Sequence, residues 1–117
     1  MRPGTGTLLA KAERAANSAA AALEAGAPEV AAGRAFYAML YAAKVLLNER
    51  GIRLRAHRRI AAGVARVAVG ESLPLDEWLA SAIERRRHAQ GDELTYEEAA
   101  QLVDRARQFV AAARART

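Results

Sequence analysis

The chain of 117 residues contains no cysteine, and this absence excludes disulfides and thiolate metal sites. No apolar run in the sequence approaches the roughly 20 residues that a membrane span needs. The N-terminal residues 1–7 lack the apolar segment of a signal peptide. We therefore expect a cytoplasmic protein without membrane contact. The length predicts one domain, residues 1–117.

Aromatic residues are also scarce, because only six occur in the whole chain. Hydrophobic residues make up 52% of the sequence, but many of them are alanines, which bury little area each. The core must therefore depend on a few large apolar side chains. A domain of this size also gains useful burial by dimerising, so a homodimer is expected.

The pattern of apolar residues indicates helices at about residues 5–25, 29–50 and 57–69, with two more starting near residues 74 and 96. Gly26 and Pro28 separate the first two helices. Thr95 with Glu98 fits a capping box for the last helix. No strand pattern or internal repeat is found, and short connections favour antiparallel neighbours. We predict an all-α, up-and-down bundle of four or five helices.

Residues 34–47 hold three of the six aromatic residues and form two distinct helix faces. The apolar face consists of Phe36, Leu40, Ala43 and Leu47, with Met39 and Leu46 beside it. The nearly opposite face carries Arg34, Tyr37, Tyr41, Lys44 and Asn48. Small residues at positions 35, 38, 42 and 45 permit close helix packing. We expect this helix to be central. Its polar stripe either contacts a ligand or a second subunit, or it consists of ordinary core residues whose tyrosine hydroxyls lie at the rim of the core.

Basic residues are concentrated in two stretches of this chain, whose formal net charge is +5. Residues 50–69 contain no acid, and residues 85–88 are all basic. Such stretches either attract phosphates or form a solvated surface. Arg86 continues the apolar line of the fourth helix and therefore needs a partner, because an unpaired buried charge is unfavourable. That partner is a ligand phosphate, a backbone carbonyl or an acid of the fifth helix.

Motifs of the common catalytic sites are absent. His57 and His88 lack the spacing or nearby carboxylates of a helical zinc site. There is no glycine-rich phosphate loop and no nucleophile elbow, which argues against an ordinary hydrolase. We predict no metal and no cofactor.

The string at residues 34–47, RAFYAMLYAAKVLL, closely resembles the central helix of HEPN domains, which commonly reads RAYYAMFYAAKALL. These are small prokaryotic helical proteins, often encoded beside minimal nucleotidyltransferases. A weaker likeness extends over most of the chain. The resemblance implies a HEPN-like bundle and a minimal nucleotidyltransferase as partner.

The resemblance also implies a site to look for near the fourth helix. Ribonuclease-type HEPN proteins use an Arg and a His, four to six residues apart, in metal-independent chemistry across a dimer. Here His88 follows residues 85–87 directly, and the well-spaced Arg50 and His57 straddle the connection between the second and third helices. A subgroup instead carries Arg-x-x-Ala-Asp-Tyr. Arg86 matches its Arg, but Gln90 stands where Asp is usual, and no Tyr follows.

Three hypotheses follow. The first is a non-catalytic HEPN module that binds nucleotide or RNA and acts with a minimal nucleotidyltransferase in a two-gene, toxin–antitoxin-like system. Its ligand-facing residues are Arg34, Tyr37, Tyr41, Lys44, Arg86 and Gln90. The second is a metal-independent endoribonuclease toxin that uses Arg86 with His88 or His57 recruited across a dimer. The third is a purely structural dimer that buries both tyrosines of the polar stripe.

Overall fold

Five α-helices make up the computed structural model, which describes residues 1–87, without the side chain of residue 87, and residues 94–117. The helices are α1 (Thr5–Glu24), α2 (Pro28–Asn48), α3 (His57–Val67), α4 (Leu75–Arg87) and α5 (Tyr96–Ala115). The described ranges contain no strand, so the all-α prediction is confirmed. The predicted helix bounds differ from the observed ones by one or two residues.

The helix ends follow the predicted local chemistry. Gly26 adopts a positive φ of 78°, which lets the chain leave α1, and Pro28 opens α2. At the start of α5, the Thr95 hydroxyl accepts a hydrogen bond of 3.1 Å from the Glu98 amide. The N-cap half of the predicted capping box is therefore confirmed, and the Glu98 carboxylate accepts a bond of 3.2 Å from the Thr95 hydroxyl.

Helix α2 lies at the centre and packs against each of the other four helices. Its predicted apolar face is buried throughout, as are its small residues at positions 35, 38 and 42. Alanines of α1 pack on this side, and the buried ones are Ala12, Ala16, Ala19 and Ala22. Small side chains on both helices allow their backbones to approach closely. The prediction of a central, alanine-packed helix is confirmed.

The buried face of α1 agrees only in part with the apolar periodicity of the sequence, which predicts Leu8, Ala12, Ala15, Ala19, Ala22 and Leu23. The three middle alanines Ala12, Ala19 and Ala22 are buried, but Leu9 and Ala16 are buried in place of Leu8 and Ala15, and Leu23 is only partly buried. The buried face also includes Thr5, whose side chain is fully buried and bonded to the end of α2.

One connection departs from the predicted up-and-down order. His57, at the start of α3, contacts Phe36 near the start of α2, with ring centroids 5.4 Å apart. Val67, at the end of α3, lies beside Leu46 and Glu49 at the end of α2. Helices α2 and α3 therefore run in the same sense. The connecting residues 49–56 are long enough to return along the bundle, so the strictly antiparallel prediction is wrong here.

Residues 2–5 are bound to the end of α2 by a small polar network. Asn48 donates to the Pro3 carbonyl at 3.0 Å and to the Thr5 hydroxyl at 2.9 Å. The Glu49 carboxylate accepts from the Thr5 hydroxyl at 2.6 Å and from the Arg2 amide at 2.8 Å. Asn48, which the sequence pattern assigned to the polar stripe, is therefore buried and bonded within the fold.

Acid should weaken this network. The Thr5 hydroxyl and then the Arg2 amide hold the pKa of Glu49 below its ordinary value by bonding its charged form. The resulting stability is present above the pKa of an unfolded glutamate, about 4.3, and is lost as pH falls through the lower folded value. We expect the thermal midpoint of Glu49→Gln to decrease less than that of the wild type between neutral and acid pH. Glu24→Gln, at an exposed site, should keep the wild-type profile, and equal profiles for all three proteins would contradict the prediction.

Candidate nucleic-acid interface

Arg86, near the end of α4, stacks on two aromatic rings of α2. Its guanidinium carbon lies 4.9 Å from the ring centroid of Phe36 and 4.9 Å from that of Tyr37. One guanidinium nitrogen also donates to the Tyr37 hydroxyl at 3.2 Å. These contacts hold a cation in place while its other N–H groups remain available.

Phe36 is the fixed element of this arrangement because it is buried, whereas its partners are exposed. Only 4% of Phe36 is accessible, and Tyr37 packs edge-on against it at 5.3 Å. His57 lies on another side of the ring, also edge-on. We call Phe36, Tyr37, His57 and Arg86 the Arg86 cluster. It gathers a phenol, an imidazole and a guanidinium from α2, α3 and α4.

The prediction that Arg86 is buried while Arg85 points away is wrong. Arg86 is exposed, and Arg85 is the less accessible of the two. Arg85 also forms the predicted ion pair with an acid of α5, because its guanidinium lies 3.0 Å from the Glu98 carboxylate. No described carboxylate pairs with Arg86. The apolar face of α4 therefore reaches the surface beside Phe36. The α5 acid that was expected to pair with Arg86 is Glu98, and it pairs with Arg85 instead.

The polar stripe of α2 continues from Tyr37 to a second group of cations. The Tyr37 and Tyr41 rings lie 6.4 Å apart. Lys44 and Lys11 place their amines 5.9 Å and 5.8 Å from the Tyr41 ring centroid. Arg34 is exposed and reaches the Ser18 carbonyl at 3.5 Å.

Arg34, Tyr37, Tyr41, Lys44, Lys11 and Arg86 together form what we call the basic–aromatic track. Helices α1 and α4 border it and do not contact each other over the described residues. The structure thus brings together five of the six predicted ligand-facing residues, while Gln90 and the nuclease candidate His88 lie outside the described residues. Lys11 was missed because its proximity depends on how α1 packs, and no local pattern encodes that.

Two depressions flank the Arg86 cluster and share Phe36 and Arg86. The first, of about 270 Å³, is lined mainly by apolar side chains of α2, α4 and α5. The second, of about 480 Å³, is lined by the start of α3 with Ile83 of α4. A third, of about 390 Å³, lies at the other end of the track, beside Lys44 and Arg53.

The second depression is electropositive. Over the described residues, its lining includes His57, Arg58 and Arg86 and no acid. The first turn of α3 also has no acid, and no side chain caps it. The backbone N–H groups of that turn therefore add their positive partial charge to the same surface. An anion would be attracted here more strongly than at an isolated arginine.

The described residues contain no metal site but include one helix that could span a membrane by length and composition. No group of three His, Cys, Asp or Glu side chains there could hold a metal ion. By length and composition, α2 could cross a membrane. The sequence-based expectation that no apolar stretch is long enough for a membrane span is therefore wrong. However, 61% of its apolar stretch is buried inside the bundle, and the core helix of a soluble protein meets the same criteria.

A scan against protein-family models finds no match to this chain, and a search of curated proteins finds no matching sequence.

Proposed function

We propose that this chain is a HEPN-type helical module that binds single-stranded RNA or nucleotides through the basic–aromatic track. The observation that carries the proposal is Arg86, held between Phe36 and Tyr37 with no described carboxylate as partner. A guanidinium fixed in this way is suited to a phosphate, with which it can form bidentate hydrogen bonds. The adjacent tyrosine rings suit stacked bases, since base stacking tolerates any sequence.

The dimensions of the track support a chain-like ligand. Arg34 and Lys44 are ten residues apart on one helix, which corresponds to about 15 Å at the rise of an α-helix. Cations lie at both ends and tyrosines between them. This order suits a strand whose phosphates follow the cations while its bases reach the rings.

We place the module in the setting that the resemblance implies. In this proposal it acts in the cytoplasm as a homodimer, together with a minimal nucleotidyltransferase in a two-gene system. Support comes from the string at residues 34–47, whose apolar half is the buried centre of the bundle. The exposed half, including Tyr37 at 40% accessibility, remains available for a ligand or partner.

One observation favours metal-independent RNA cleavage as a second candidate function. His57 and Arg86 lie against the same Phe36 ring and line the same depression. In such a reaction the imidazole would move a proton, while the guanidinium stabilised the charge that develops on the phosphate. The sequence had suggested this pairing only across a dimer, whereas here both residues belong to one chain.

RNA retention with a matched arginine control tests the proposed function. We expect the pure protein to retain a labelled single-stranded RNA pool at low salt, and Arg86→Ala to weaken retention roughly tenfold with a shallower salt dependence. Arg107→Ala removes the same charge from an exposed position on α5, away from the track, and should change retention by much less. Equal losses in the two variants would contradict a specific site.

The same incubation, run with EDTA, separates the alternatives. Retention without cleavage supports the binding module. Cleavage in EDTA that both His57→Ala and Arg86→Ala abolish would establish the second candidate. If low salt gives neither retention nor cleavage, both fail, and the purely structural dimer remains.

A further inference from the structure

The first depression has the form of a small, mostly apolar pocket beside the guanidinium of Arg86. Phe36 forms one wall, and Leu94 and Leu102 contribute to the others. Its volume of about 270 Å³ lies just below the usual range of about 300–1,000 Å³ for drug-sized ligands. A flat ring system smaller than a drug molecule therefore suits it.

Gly33 keeps part of this pocket open. It lies within α2, where glycine is unfavourable compared with alanine. A Cβ atom built on it meets nothing within 4 Å, so the packing does not require a glycine. What the missing side chain provides is empty space beside Phe36.

The polar groups of the pocket differ in their availability. Arg85 is engaged by the Glu98 carboxylate, while Glu29, in the exposed first turn of α2, pairs with no described residue. An ionised carboxylate can only accept hydrogen bonds. Guanine, adenine and cytosine carry exocyclic amino groups that can donate to it, whereas the exocyclic groups of uracil are carbonyl oxygens, which only accept.

We infer that the first depression binds a nucleobase carrying an exocyclic amino group, with its 5′-phosphate on Arg86. The base lies in the space that Gly33 leaves, next to the small accessible part of Phe36, and Glu29 accepts a hydrogen bond from its amino group. The second depression shares Phe36 and Arg86 with the first, and its basic lining suits a neighbouring phosphate of the same strand. This inference rests on the proposed function and adds a base preference to it.

Titration of the full chain with GMP, UMP and ribose 5-phosphate tests the inference. We expect GMP to bind roughly tenfold more tightly than ribose 5-phosphate, because the apolar pocket buries the base that ribose 5-phosphate lacks, and UMP to bind more weakly than GMP. Gly33→Leu fills the pocket and should bring GMP close to ribose 5-phosphate, whose own affinity stays unchanged. Gly33→Ala, with one added methyl group, serves as the matched control. Glu29→Gln should reduce the preference for GMP over UMP.

The outcomes separate this inference from the function on which it rests. Equal affinities of the wild-type protein for GMP and ribose 5-phosphate would overturn the base pocket, even where Arg86-dependent RNA retention persists. A GMP affinity that Gly33→Leu leaves unchanged would overturn it as well. Loss of RNA retention at all salt concentrations would instead remove the proposed function itself.

Discussion

Replacing both Tyr37 and Tyr41 with alanine should lower the affinity for single-stranded RNA about a hundredfold. Each stacked base contributes roughly 1–3 kcal/mol, and the two rings lie side by side on the track. The Tyr37 change also removes one ring that holds the Arg86 guanidinium. The double variant thus loses two stacking surfaces and the position of a phosphate-binding cation. Fluorescence anisotropy with a labelled oligonucleotide at fixed salt measures the effect.

The double phenylalanine variant is the matched control for this experiment. It keeps both rings and removes only the hydroxyls, including the one that accepts from Arg86. We expect it to retain most of the affinity. Because the rings are neighbours, the effects of the single alanine variants should not add up to that of the double variant. If the double alanine variant, shown to be folded by circular dichroism, bound RNA as the wild type does, the track would not be the interface.

The sequence was most informative where local periodicity decides the outcome. The apolar face of α2 and the small residues beside it are buried as predicted, because a single helix fixes the angles between its own residues. The Thr95 N-cap was predictable for the same reason, since its partners are three residues apart. That Tyr37 and Tyr41 lie on the same face of α2 was also predictable, because they are four residues apart on one helix.

Relations between helices could not be read from the sequence in the same way. The direction of α3 depends on how residues 49–56 return along α2, and spacing alone does not specify that path. The exchange of roles between Arg85 and Arg86 depends on where α5 places Glu98. The proximity of His57 to Arg86 arises only after three helices have packed on Phe36.

The alanine-rich composition has a consequence for stability. Alanine-to-alanine contacts between α1 and α2 bring backbones close together but bury little apolar area per residue. The remaining burial depends on a few large side chains. Phe109 is the largest fully buried one among the described residues, and it belongs to α5, which packs against both α1 and α2. Its removal leaves a cavity that neighbouring alanines are too short to fill.

We therefore expect Phe109→Ala to lower the free energy of unfolding by about 3–5 kcal/mol, the upper range for large-to-small core changes. Against a total of about 5–15 kcal/mol for a typical domain, this variant should be partly unfolded near physiological temperature. Urea denaturation followed by circular dichroism measures the difference. Tyr96→Ala removes a ring from the same helix at a position that is 52% accessible, and should change stability by no more than about 0.5 kcal/mol. Equal effects of the two variants would mean that α5 is not held to the bundle through its buried face.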